Sequence, residues 1–117
     1  MTTAAEALKL ALQPLVPDWD IQFGHWRDPG KDGRSVVIKP AGGPGGDVVR
    51  RPLFTLSFID RQGGNVQHAA AAVEAVVAAL RARPSDDLLV AAEPGEPVYL
   101  TTSDTRPVFE VAVAAIN

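Results

Sequence analysis

Residues 65–83 leave this chain few ways to fold. Val66, Ala69, Ala70, Val73, Val76, Val77 and Leu80 recur at three- and four-residue spacing, which gathers them on one side of a helix. Gln67, Glu74, Arg81 and Arg83 fall mostly elsewhere, and the many alanines favour helix while letting another surface come close. Gly63-Gly64-Asn65 supplies a turn and an N-cap, and Pro84 a stop. A helix with so wide an apolar face cannot bury it alone. It needs a sheet, and the alternating segments on both sides supply one.

Before it, Thr3-Ala4-Ala5-Glu6 matches a capping box, and Ala5, Leu8, Leu12 and Leu15 make an apolar stripe that Pro14 and Pro17 end. This first helix is short and depends on packing. Residues 19–23 alternate as a strand, with Trp19, Ile21 and Phe23 on one face and Asp20 and Gln22 on the other. Residues 27–33 are a polar turn, and residues 35–39 a strand apolar enough for burial on both faces, ending at Pro40. Residues 53–59 form the clearest strand, with Phe54, Leu56 and Phe58 opposite Thr55 and Ser57.

After the long helix, residues 85–87 are polar and 88–90 read as a weak strand or a continued turn. Residues 93–97 are expected as a turn, 98–101 as a short strand, 103–107 as a tight connection, and 108–116 as the last strand. The expected fold is α+β: one domain over residues 1–117, a mostly antiparallel sheet with two helices packed on one face, and no internal repeat.

With 117 residues, 46% of them hydrophobic and 21% charged, the chain can bury a core without staples. It has no cysteine, which excludes disulfides, a thiolate nucleophile and cysteine zinc sites. No stretch nears the roughly 20 apolar residues of a membrane span, and a net charge of −3 argues against a specific nucleic-acid binder.

The glycine-rich residues 41–47 invite a phosphate reading. No lysine and hydroxyl follow the last glycine, as a P-loop needs, and no helix follows directly, as a dinucleotide fingerprint needs. Residues 28–39 begin like a calcium loop but carry Gly30 at its third position and Lys39 at its twelfth. His25 and His68 have no partner at a metal-ligand spacing, no G-x-S-x-G elbow surrounds a serine, and the paired acids Asp86-Asp87 and Glu93 with Glu96 sit in turns. The residues support neither an enzyme nor a cofactor or metal.

Arg50-Arg51-Pro52-Leu53-Phe54-Thr55-Leu56-Ser57-Phe58, the alanine-rich helix after Gly63-Gly64, and Thr105-Arg106-Pro107-Val108-Phe109-Glu110-Val111 together resemble the tail terminator (minor tail protein) family of long-tailed bacteriophages. The resemblance implies a virion structural protein at the head-proximal end of the tail, assembled in the host cytoplasm. It implies a homo-hexameric ring that caps the tail tube, stops its elongation and offers a surface to head connector proteins. Its partners would be further copies of itself, the tail tube protein and the connector, with no membrane and no specific nucleic acid. A ring needs two different complementary faces on each protomer. Edge strands with alternating charge, carrying Arg50, Arg51, Asp60 and Arg61, are candidates for one face, and Glu74, Arg81 and Arg83 on the helix for the other. Gly42, Gly43, Gly45, Gly46 and Asp47 form a candidate docking loop, ordered on meeting the tube protein or a neighbour. Two alternatives remain at the level of sequence: a head-to-tail connector or completion protein, and a small-molecule binding module.

Overall fold

The computed structural model describes residues 3–30, 32–41, 53–84, 91–101 and 105–116. Their order is α1 (Ala4–Leu12), β1 (Asp20–Phe23), β2 (Ser35–Pro40), β3 (Leu53–Ile59), α2 (Val66–Ala82), β4 (Ala91–Pro94), β5 (Val98–Thr101) and β6 (Pro107–Ile116). The six strands make one sheet in the order β1-β2-β3-β6-β4, with β5 also on β6. Every pairing is antiparallel except β1 with β2.

Both helices begin where side chains can satisfy their orphan amides. Thr3 Oγ1 accepts from Glu6 N–H at 3.1 Å, and Asn65 Oδ1 from Gln67 and His68 N–H at 2.8 and 3.2 Å. Such a cap contributes about 1 kcal/mol. Most of the stripe predicted for the long helix is buried, through Ala69, Val73, Val76, Val77 and Leu80, whereas Val66 in the first turn is exposed and Ala70 half-buried. With Ala7, Leu8 and Leu12 of α1, these close over Val36, Ile38, Phe54, Leu56, Phe58, Phe109, Val111 and Val113 of the sheet. The helices thus share one face, and the fold is α+β.

The opposite face departs from the sequence expectation. β1 and β2 run parallel and adjacent, so residues 24–34 are not a hairpin turn. They must carry the chain back along the length of β1 before β2 can start. That return segment crosses the face away from the helices, where Trp26 packs on Val37, Ile59 and Val108. Gln22, on the polar side of β1, is consequently 3% exposed. Its amide donates to Arg27 O at 2.9 Å and its carbonyl accepts from Arg27 N–H, so it binds the start of the return to β1.

A second departure concerns residues 93–97. They are not a turn that separates two strands. β4 and β5 follow one another along the same edge of β6, and Gly95 between them still donates to Ala112 O at 2.7 Å. Pro94 opposes Val113 while Val98 opposes Glu110, which places one extra residue on the β4–β5 side, the signature of a β-bulge. Pro94 and Pro97 flank it on an outer strand, where a missing N–H costs no ladder bond. Residues 88–90 lie outside the described residues.

Candidate interaction surfaces

Three surfaces of this fold offer features a partner could read: the return segment with its buried arginine, the outer stripe of α2, and the two outer edges of the sheet.

The return segment is held by Arg106. Thr105 adopts φ 62°, a left-handed conformation that a β-branched residue rarely accepts, and from it Arg106 enters the protein at 1% exposure. Nη1 donates to Gly33 O at 3.3 Å and Asp60 O at 3.1 Å, while Nη2 donates to Gly30 O at 2.9 Å and meets Asp28 Oδ1 at 3.3 Å. The guanidinium lies 5.2 Å from the Trp26 ring centre, within cation–π range. One side chain therefore ties the return segment to the end of β3. A planar fork with fixed donors suits such a ring of acceptors better than an ammonium would.

Asp60 belongs to the same junction. The sequence places it among exposed charges, yet it is 2% exposed. Its Oδ1 accepts from Arg34 Nε and from Arg61 N–H, each at 2.8 Å. The physical reason is the turn into α2: Gly64 packs so closely that a Cβ there would stand 2.5 Å from Asp60 Oδ2. Asp60 holds the fold together and does not present a charge to solvent. Arg61 beside it is exposed.

On α2, Glu74 and Arg81 are both exposed, and seven residues apart they share the outward stripe of the helix. Arg81 Nη2 turns back to Pro94 O at 3.3 Å and Glu96 Oε1 at 3.6 Å, so it latches the bulge to the helix. Arg83 is the half-buried C-cap residue. Asp60 and Arg61 stand at one end of α2, Arg81 and Arg83 at the other, separated by a helix about 25 Å long. The structure does not gather them into one patch. Arg50, Arg51, Gly42, Gly43, Gly45, Gly46 and Asp47 lie outside the described residues.

Sequence reasoning looked for an edge at the strand that Asp60 follows, but that strand, β3, lies in the middle of the sheet between β2 and β6, and the real edges are β1 and β4–β5. β5 leaves Val98, Tyr99 and Leu100 at 56%, 46% and 43% exposure, and Phe23 of β1 is 44% exposed at the other end of the sheet. Proteins normally blunt an edge with lysine, proline or a bulge. Here the bulge and prolines guard the β4 half, whereas Val98-Tyr99-Leu100-Thr101 carries neither charge nor proline. The signal was present in the sequence as an unusually apolar short strand, but nothing there says which strands are outermost.

Between α1 and β1 an open cleft of about 390 Å³ is lined by residues including Lys9, Gln13, Trp19, Asp20 and Ile21. Among the described residues no group of three or more histidines and carboxylates is placed to hold a metal ion, and no helix is long and apolar enough to cross a membrane.

These surfaces offer contacts to a partner, and comparisons with known proteins give the family in which such contacts occur. The family model for phage tail termination proteins matches residues 1–117. The chain belongs to that family. It is therefore a structural protein of a phage-type tail and a component of the virion. Among solved structures, a chain in the virion of a native gene transfer agent particle matches with a TM-score of 0.56 and 19% identity, over 97% of this chain and 90% of that one. A second solved chain matches with a TM-score of 0.53 and 14% identity, over 96% and 94%. At these identities the likeness is one of fold. No curated protein matches the chain.

Proposed function

We propose that this tail terminator assembles into a homo-hexameric ring at the head-proximal end of the tail tube during assembly in the host cytoplasm. The ring stops addition of further tube protein and leaves its outer surface for the head connector. The observation that carries this reading is the family match over the whole chain, taken with a protomer that leaves apolar side chains exposed on both outer strands of its sheet, Phe23 on β1 and Val98, Tyr99 and Leu100 on β5. A ring of identical copies needs two different surfaces that meet head to tail, and the two sheet edges are different and far apart.

The test is polymerisation of the cognate tube protein with this protein added in sub-stoichiometric amount, with tube lengths measured by electron microscopy. Elongation is expected to halt soon after addition, with density at one tube end. Unchanged lengths would overturn the capping role, and binding confined to the portal side would point to a connector instead.

A further inference from the structure

We infer that neighbouring copies join by strand addition, the β5 edge of one protomer pairing antiparallel with the β1 edge of the next. This rests on the ring proposed above and names the contact that builds it.

The backbone fixes which groups are available. Asp20 N–H donates to Arg34 O and Gly24 N–H to Ile38 O, so the backbone groups of the even-numbered β1 residues point at β2. Those of Ile21 and Phe23 point outward, Phe23 O already accepting from His25 N–H at 2.9 Å and keeping its second lone pair for a neighbour. On the other edge, Ala112 O accepts from Gly95 and Pro107 O from Asp60 N–H, so Val108 and Glu110 are the β6 residues that face β5. Their register partners Leu100 and Val98 are used, and the backbone groups of Tyr99 and Thr101 point outward. Each edge thus offers two residues with backbone groups directed away from the sheet, and no described strand pairs them.

Topology fixes the direction. β6 runs parallel to β1, and β5 antiparallel to β6. A neighbour continuing the sheet with its helices on the same face therefore meets β5 with an antiparallel β1. Facing pairs are then Phe23 with Tyr99 and Ile21 with Thr101. The side-chain faces agree as well. Ile21 packs into the helix-side core and Tyr99 lies 5.2 Å from Phe109 of that core, so Phe23 and Tyr99 share that face and cover each other.

Charge agrees with the same direction. Lys9 lies 5.7 Å over the Phe23 ring, and Arg27 is exposed just beyond, so the C-terminal end of β1 is basic apart from Asp28, which is turned to Arg106. Antiparallel pairing brings it to the N-terminal end of β5, flanked by the exposed Glu93 and by Glu96, which shares Arg81 across 3.6 Å. Parallel pairing would instead bring Asp18 and Asp20 to those glutamates. The occupant of the β5 edge is therefore a second copy of this chain, held by main-chain bonds, with the aromatic pair and the charges setting register.

The chain has no cysteine, so a double variant, Phe23→Cys with Tyr99→Cys, carries the only thiols. Facing residues of a hydrogen-bonded antiparallel pair have Cα atoms about 5.5 Å apart, within disulfide reach. After mild oxidation, alone and on tube ends, non-reducing gels should show a ladder up to the full ring, and either single variant no more than dimers. Tyr99→Pro provides an independent check. It removes one outward N–H that makes no bond within the protomer, so the thermal melt should stay within a few degrees while the ring is lost. If the wild type has ring mass but the double variant gives no ladder and Tyr99→Pro still assembles, strand addition is wrong and the ring stands. If the Tyr99→Cys single variant, labelled with a photoactivatable thiol-reactive crosslinker, joins to tube protein instead, the occupant is wrong. If the wild type forms no ring either free or on tubes, both readings fall together.

Discussion

Replacing Arg106 with methionine is expected to lower the melting temperature by about 10–15 °C, the loss of roughly 3 kcal/mol from a chain of this size. Methionine fills much of the volume, so packing is nearly kept and the loss isolates the guanidinium. Asp60 O would lose a charged donor at a buried bond, and Gly33 O and Gly30 O would lose one at part-buried bonds. Carbonyls left without partners account for most of the cost, since Asp28 is 59% exposed and can turn to water. Arg106→Lys keeps the charge but not the fork, and should fall between the two. Amide exchange should also locate the damage, rising first in residues 24–34. A methionine variant that melts within about 2 °C of the wild type, with those amides still protected, would show that the return segment is held by something else.

The second large effect is expected at Phe58, which lies at 2% exposure in the middle strand and meets Trp19 edge-to-face with ring centres 6.0 Å apart. Phe58→Ala removes the ring where both helices close on the sheet, and should cost about 3–5 kcal/mol through lost burial and the cavity left behind. A urea titration reads this as a lower midpoint with little change in slope. Phe23→Ala and Tyr99→Ala provide the contrast. Both rings are nearly half exposed in the protomer, so each variant should stay within about 1 kcal/mol of the wild type when monomeric. A Phe58→Ala loss below about 1 kcal/mol would contradict the packing described here.

These two residues also mark the limits of reading the sequence. Phe58 was legible because its neighbours alternate: Leu56 and Phe54 share its side, Thr55 and Ser57 do not, and a period of two fixes the face whatever the partner strand. The α2 stripe was legible for the same reason, with Asn65 and Pro84 bounding it. Arg106 was visible only as one residue of a tight connection, because its value lies in acceptors 46 to 78 residues away in the chain. Asp60 was read as an exposed charge because burial of a carboxylate depends on Arg34, which sequence spacing does not bring near. The parallel β1–β2 pair misled in a different way. Asp28-Pro29-Gly30 has the chemistry of a turn and does turn, but a turn sequence does not say whether the next strand comes back beside the first or runs along with it. Residues 93–97 taught the same lesson, since glycine and two prolines serve an edge bulge as well as a turn. Edges themselves are a property of strand order, and so the apolar run at Val98-Tyr99-Leu100 gained meaning only when β5 was found outermost.

The central claim is that the chain acts as a ring, and mass is its most direct measure. Light scattering across a concentration series, repeated on protein recovered from sheared tube ends, should give six times the 12.4-kDa chain in at least the tube-bound sample. A protein that is monomeric at every concentration and remains a single copy on each tube end would contradict the account.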